Sequence, residues 1–129
     1  MTTDLWMLVA SVGLQFALIL IAATPGLVTN GVGWAVSPRE DVGEPLPAWA
    51  QRADRASKNL QENLAMFGLL VLVVHVTGSG DDTSALGAQI FLGCRILHAV
   101  VYVTGTPWVR TLAWAGSVAG MVMVGSALL

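Results

Sequence analysis

Charge is scarce in this chain. Only 11% of its 129 residues are Asp, Glu, Lys or Arg, while 55% are hydrophobic and the mean hydropathy is +0.71. Soluble domains carry roughly 25% charged residues. The composition therefore excludes an ordinary water-soluble domain and points to lipid as the main solvent. Cysteine is nearly absent too. Cys94 stands alone, which excludes an intramolecular disulfide framework, and its apolar surroundings make it a small packed residue. The net charge of −2 carries little information, and nucleic acid is not an expected partner. The residues ahead of the first apolar run include Asp4 but no Lys or Arg. That is the wrong sign for a signal peptide, so the run reads as a true membrane span.

A helix of about 20 mostly apolar residues crosses a bilayer. Four segments are candidates, at about residues 5–28, 51–76, 84–103 and 108–128. Pro25-Gly26 is expected to kink or end the first. Between the first two, Gly31, Gly33, Pro38, Gly43, Pro45 and Pro47 break regular structure. Trp34 and Trp49 in that connection suit a membrane–water interface. The second segment is apolar only from Leu64 to Val76, too short to span alone, so its polar half must also enter the membrane region. Gly78-Ser79-Gly80-Asp81-Asp82 and Gly105-Thr106-Pro107 read as tight turns. Gly116 and Gly120 form a small-xxx-small pair that favours close helix packing. The expected fold class is all-α, an integral membrane four-helix bundle in a single domain over residues 1–129.

Basic residues are missing from the N-terminus, the 78–82 turn and the C-terminus. Arg39, Arg52, Arg55 and Lys58 cluster in and beside the first connection, and Arg110 stands just after the third. The positive-inside rule then places the first and third connections in the cytoplasm and both termini on the other side.

Several polar residues stand where a bilayer disfavours them. A charge at the centre of a membrane helix costs at least ~2.5 kcal/mol on insertion scales. Arg55, Asn59 and Glu62 fall at i, i+4, i+7 of the second helix, with Lys58 beside them. Arg95, His98 and Tyr102 fall at i, i+3, i+7 of the third, and Arg110 lies in the first turn of the fourth. At ~1.5 Å per residue, Glu62 and Arg95 lie roughly 15 Å and 12 Å from the cytoplasmic ends of their helices, so they are expected to pair. As a bare ion pair they would only fix helix register; His98 alone would be a core histidine and Arg110 alone would snorkel. Taken together, the set offers several cations, one carboxylate and several hydrogen-bonding side chains. It suits a small zwitterion with more negative than positive groups, glutathione being one example among other anionic ligands. His75 and His98 lie on different helices near opposite faces, so no metal is expected.

Two stretches carry a resemblance. Arg55-Ala56-Ser57-Lys58-Asn59-Leu60-Gln61-Glu62, with Phe67 beyond it, resembles the second-helix signature of the MAPEG family, the membrane-associated proteins in eicosanoid and glutathione metabolism. Arg95-Ile96-Leu97-His98-Ala99-Val100-Val101-Tyr102 looks like the family's third-helix motif, and the short turn and Arg110 after it are similar to those of microsomal glutathione transferases. The resemblance implies a bacterial-type member in an inner membrane, assembled as a homotrimer, with glutathione as co-substrate between neighbouring subunits. It implies that Arg55, Lys58, Asn59 and Glu62 hold the tripeptide and that Arg95, His98 and Tyr102 line the site. Arg110, with Thr111 beside it, would face the sulfur as the catalytic cation. The implied activity is a glutathione transferase or peroxidase acting on a hydrophobic electrophile or lipid. A non-catalytic lipid-binding or lipid-presenting member is the alternative. Two departures point away from eicosanoid synthesis. The first basic residue after the first span is Arg39, in the loop, and Trp114 stands where prostaglandin E synthase has a tyrosine. A small multidrug exporter is excluded by the lack of an acidic residue within the first apolar run.

The topology has a direct test. Single cysteines placed by Thr2→Cys and Glu40→Cys in a Cys94→Ser background are treated with a membrane-impermeant maleimide in intact bacterial cells. The first is expected to react at once and the second only after permeabilisation; the opposite pattern would invert the orientation.

Overall fold

The computed structural model describes residues Met1–Leu129. Four helices account for most of the chain: α1 (Thr3–Ala35), α2 (Ala48–Thr77), α3 (Asp82–Thr104) and α4 (Pro107–Ser126). The first three are each long and apolar enough to cross a membrane. The fourth has 20 residues, which at ~1.5 Å per residue gives it a length of about 30 Å.

Local chemistry sets the helix ends. Thr2 caps α1 by accepting from the Leu5 N–H, and Asp81 and Ser84 form a reciprocal capping box at the start of α3. Gly78 and Gly105 end α2 and α3 at φ 68° and 85°, left-handed values that glycine adopts without strain. Pro107 opens α4, where its missing N–H costs nothing.

The first helix departs from expectation at Pro25, which lies buried inside it; the regular helix continues to Asn30, close to the expected end, and a further helical turn reaches Ala35. Proline removes one N–H and crowds the carbonyl four residues back. In an apolar medium, however, the remaining backbone groups find no better partner than the helix itself. The true interruption is Gly31, at φ 82° and ψ 171°. Beyond it the connection folds back on α1: Trp34 Nε1 donates to the Asp41 carbonyl at 3.0 Å, and Asn30 Oδ1 accepts from the Glu44 N–H at 2.7 Å. Likewise α2 starts three residues earlier than the polar run implies, directly after Pro47.

The bundle is up-and-down. Asp4 at the start of α1 lies against Gly80 in the α2–α3 turn. At the other end, Arg52 Nε donates to the Val103 carbonyl at 2.8 Å, joining the start of α2 to the end of α3. Helix α1 packs on α2 and α3 but not on α4. Phe67 and Phe91 stack at 3.9 Å in the core, surrounded by Leu18, Leu60, Val71, Val74 and Val124. A buried hydrogen bond from Gln15 Nε2 to Ser57 Oγ at 3.1 Å ties α1 to α2.

The closest approach is between α3 and α4. A Cβ at Gly120 would lie 2.6 Å from the Gly87 carbonyl oxygen and 2.8 Å from the Phe91 nitrogen. One turn earlier, Gly116 faces Cys94 Sγ, 2.6 Å from where a Cβ would be. The small-residue spacing thus serves backbone-to-backbone packing within one chain. Outward, Trp6, Val9, Val12 and Phe16 of α1 are exposed, as lipid contact requires of an apolar surface.

Gly120→Ala is expected to destabilise the fold by about 1–3 kcal/mol, the usual cost of overpacking, because backbone atoms cannot swing aside. Gly13→Ala, with nothing within 4 Å of its would-be Cβ, is the control. Thermal unfolding of the two detergent-solubilised variants, side by side, checks this.

Candidate functional site

Three helices converge on a pocket of about 280 Å³ lined by Asn59, His98, Tyr102, Arg110, Thr111 and Trp114. Asn59 comes from the inner half of α2's polar face. His98 and Tyr102 stand one turn apart on α3, and Arg110, Thr111 and Trp114 occupy the first two turns of α4. The tight α3–α4 contact brings these last two groups together.

Arg110 is the pocket's one charged side chain. Its guanidinium lies over the Tyr102 ring, 4.8 Å from the centroid. It makes no ion pair, since the chain's single salt bridge joins Lys58 Nζ to Asp54 Oδ2 at 2.7 Å. Its N–H groups are therefore free to meet an anion. Tyr102 in turn meets the edge of His98, ring centroids 5.3 Å apart at 65°. Thr111 Oγ1 donates to the Pro107 carbonyl at 3.2 Å, so its lone pairs remain as acceptors.

Arg95 is not on the pocket wall. It is 1% exposed, and its Nη1 donates to Asn59 Oδ1 at 2.9 Å. An arginine can only donate, so this contact fixes the Asn59 amide with its oxygen inward and its NH₂ left for the pocket. Arg95 Nε and Nη2 have no partner in the chain. The expected Glu62–Arg95 pair is not formed. Glu62 is exposed, without a salt bridge. Depth along two helices was the right measure of height but not of direction. Three residues turn a helix by ~300°, a net offset of ~60°, enough here to leave Asn59 half-buried against Arg95 and Glu62 on the exposed flank.

Arg55 and Lys58 fall elsewhere. They line a groove of about 760 Å³ between α1 and α2, together with Arg39, Asp54 and the apolar Ile19, Leu20 and Leu27. Lys58 and Asn59 are neighbours in sequence but lie ~100° apart around α2, and each faces a different cavity. The predicted set is thus split within one chain: Asn59, His98, Tyr102, Arg110 and Thr111 meet, while Arg55, Lys58 and Glu62 do not join them. Two wall residues went unassigned in the sequence. Trp114 lies at i+4 from Arg110, a spacing that could have placed it on the same face. Arg39 sits in a loop, where no periodicity signals its position; its guanidinium lies over Trp34 at 5.2 Å. No group of three His, Cys, Asp or Glu side chains is arranged to hold a metal ion.

The pocket's parts define its chemistry. One fixed cation, an amide donor and three aromatic rings surround a small volume at the end of a membrane helix bundle. Such a site favours an anion with an apolar neighbour, because a guanidinium acts more strongly where water is scarce.

No curated protein and no solved structure matches the chain. The model of the MAPEG family matches residues 5–129, nearly the whole length. Together with three helices able to cross a bilayer, that match identifies this membrane protein as a member of the MAPEG family.

Proposed function

We propose that this protein is a membrane-bound glutathione transferase, with peroxidase activity as the related outcome, that holds glutathione in the cytoplasmic half of the bundle. The observation that carries the reading is the Arg110 guanidinium, unpaired and facing a pocket that also holds Asn59, His98 and Thr111. Family membership supports a glutathione-related membrane function in general terms.

The chemistry asks for such a cation. A free thiol has a pKa near 8.5, so it is mostly protonated at neutral pH, while the thiolate is the nucleophile. A guanidinium beside the sulfur favours the anion, and it stays charged at any physiological pH. The thiol proton leaves to solvent. The sulfur then forms a bond to the electrophilic carbon of a hydrophobic substrate, and the leaving group departs with its electron pair.

The site is completed by a second copy. On α2 the exposed residues Glu62, Met66, Leu69 and Val73 run along one side. A carboxylate there cannot face lipid cheaply, so this side meets another subunit. In a homotrimer the α1–α2 groove of one subunit closes over the pocket of its neighbour. Arg55 and Lys58 then meet the ligand's carboxylates and Glu62 its ammonium. In the cell the protein resides in a bacterial inner membrane with its cationic end, and hence the site, toward the cytoplasm.

A second reading has an observation of its own. The α1–α2 groove combines apolar walls with Arg39, Arg55 and Lys58, which suits an amphiphilic acid and hence a lipid-binding member without transferase activity.

Two measurements separate these readings. In assembled, detergent-solubilised protein, the ultraviolet absorbance of bound thiolate is followed against pH. Wild type is expected to titrate below the free thiol. Arg110→Ala should move the midpoint back toward about 8.5 and lower kcat/KM on the order of 100-fold, as for loss of an oxyanion donor. Binding without any shift in wild type would favour the lipid-binding reading. Glu62→Gln is expected to weaken glutathione binding by roughly tenfold or more, the worth of a charge-assisted hydrogen bond. Unchanged affinity in an intact trimer would remove Glu62 from the site.

A further inference from the structure

We propose that Tyr102 is a positioning residue whose ring, rather than its hydroxyl, holds the Arg110 guanidinium on the pocket wall. This rests on the reading of Arg110 as the thiol-activating cation.

Arg110 needs something to hold it. It sits in the first turn of α4, at the end of a membrane helix, half-buried. A long cationic side chain at such a position ordinarily snorkels toward water. No carboxylate pairs with it, and no carbonyl or hydroxyl of the chain accepts a side-chain hydrogen bond from it. What it does touch is a ring face, 4.8 Å from guanidinium carbon to centroid. The negative face of an aromatic ring attracts a cation, most strongly where water is excluded. Contact with a ring face uses up no N–H donor, so the guanidinium's N–H groups remain free to donate.

The ring is itself held. His98 lies one turn earlier on α3 and meets it edge-on at 5.3 Å. His98 is 3% exposed and lies on the cavity wall, so its contact with Tyr102 comes from inside the bundle. The three side chains form a column: a buried imidazole, a phenol ring and a guanidinium that ends at the cavity. The Tyr102 hydroxyl takes no part in the column and makes no hydrogen bond within the chain. The hold on Arg110 therefore depends on a ring at position 102 and on nothing that only tyrosine supplies.

The consequence concerns thiol acidity more than affinity. If the ring is lost, Arg110 samples orientations away from the pocket and the bound thiolate loses its counter-charge. The ligand's other contacts persist.

Three variants decide the matter in assembled protein, each with glutathione as the probe: Tyr102→Phe, Tyr102→Leu and Arg110→Ala. Tyr102→Leu is expected to raise the midpoint of the bound-thiol titration by about one pH unit, a tenfold loss of acidity. It is expected to lower kcat for conjugation roughly tenfold while KM for glutathione moves less than about threefold. Tyr102→Phe should recover most of what Tyr102→Leu loses. Adding Tyr102→Leu to Arg110→Ala should shift the titration no further, since the ring then has nothing to hold. Equal losses in the Phe and Leu variants would overturn the proposal and make the hydroxyl the working group. So would an unshifted titration in Tyr102→Leu when Arg110→Ala does shift it. An unshifted titration in Arg110→Ala would instead sink the reading of Arg110 itself. Should Tyr102→Leu fail to assemble, Tyr102→Met, which also lacks a ring, takes its place with the same expected outcomes.

Discussion

The hydrogen bond from Arg95 to Asn59 couples α3 to α2 well inside the bundle, where a guanidinium has almost no contact with water. Burying an unpaired charge is expensive, and one amide oxygen does not neutralise it. The bond has a structural effect that reaches the pocket. It turns the Asn59 amide so that its oxygen is engaged inward and its donor faces outward. A residue that never touches the cavity thereby decides which atom of its neighbour does. Replacing the expected Glu62 partner by Asn59 also frees Glu62 to lie on the outside of α2.

The second constraint is the contact of α3 with α4. Gly87 and Gly120 let two backbones approach until any added methyl would collide. Small residues serve this purpose in lipid, where the hydrophobic effect cannot press helices together. The same approach sets the first turn of α4 over the last turns of α3. Arg110 then meets Tyr102, and Thr111 and Trp114 complete the wall. The packing and the electrostatics of the pocket are in this sense one arrangement.

The outer surface divides into two kinds. The apolar outer side of α1, with Trp6, Val9, Val12 and Phe16, suits acyl chains. One side of α2 places Glu62 in line with Met66, Leu69 and Val73, which suits neither water nor lipid. The α1–α2 groove, with Arg39, Arg55 and Lys58 on its wall, is likewise too cationic for a lipid tail and too apolar for bulk water. On the proposed reading, a neighbouring subunit and a shared anionic ligand would cover both features.

Composition and period made the helices legible in the sequence. Four apolar segments, the Gly and Pro turns between them and the family motifs of α2 and α3 could all be read from the chain alone. Boundaries were less legible at α1. Proline normally signals an end, but a bilayer keeps the helix hydrogen-bonded past it, and Gly31 interrupts it instead. Of the pocket, spacing along the chain indicated that α2, α3 and α4 each bring polar side chains to it, among them Asn59, His98, Tyr102 and Arg110. Direction was not legible. Whether Arg95 turns to Asn59 or Glu62, whether Lys58 shares a cavity with Asn59, and where loop residue Arg39 falls depend on how α2 is rotated against α1 and α3. Helical spacing specifies neighbours on one helix to within a few tens of degrees, and that error separates one cavity from the next. Only the packed bundle fixes the rotation, because it is set by side chains and glycine contacts far apart in the chain.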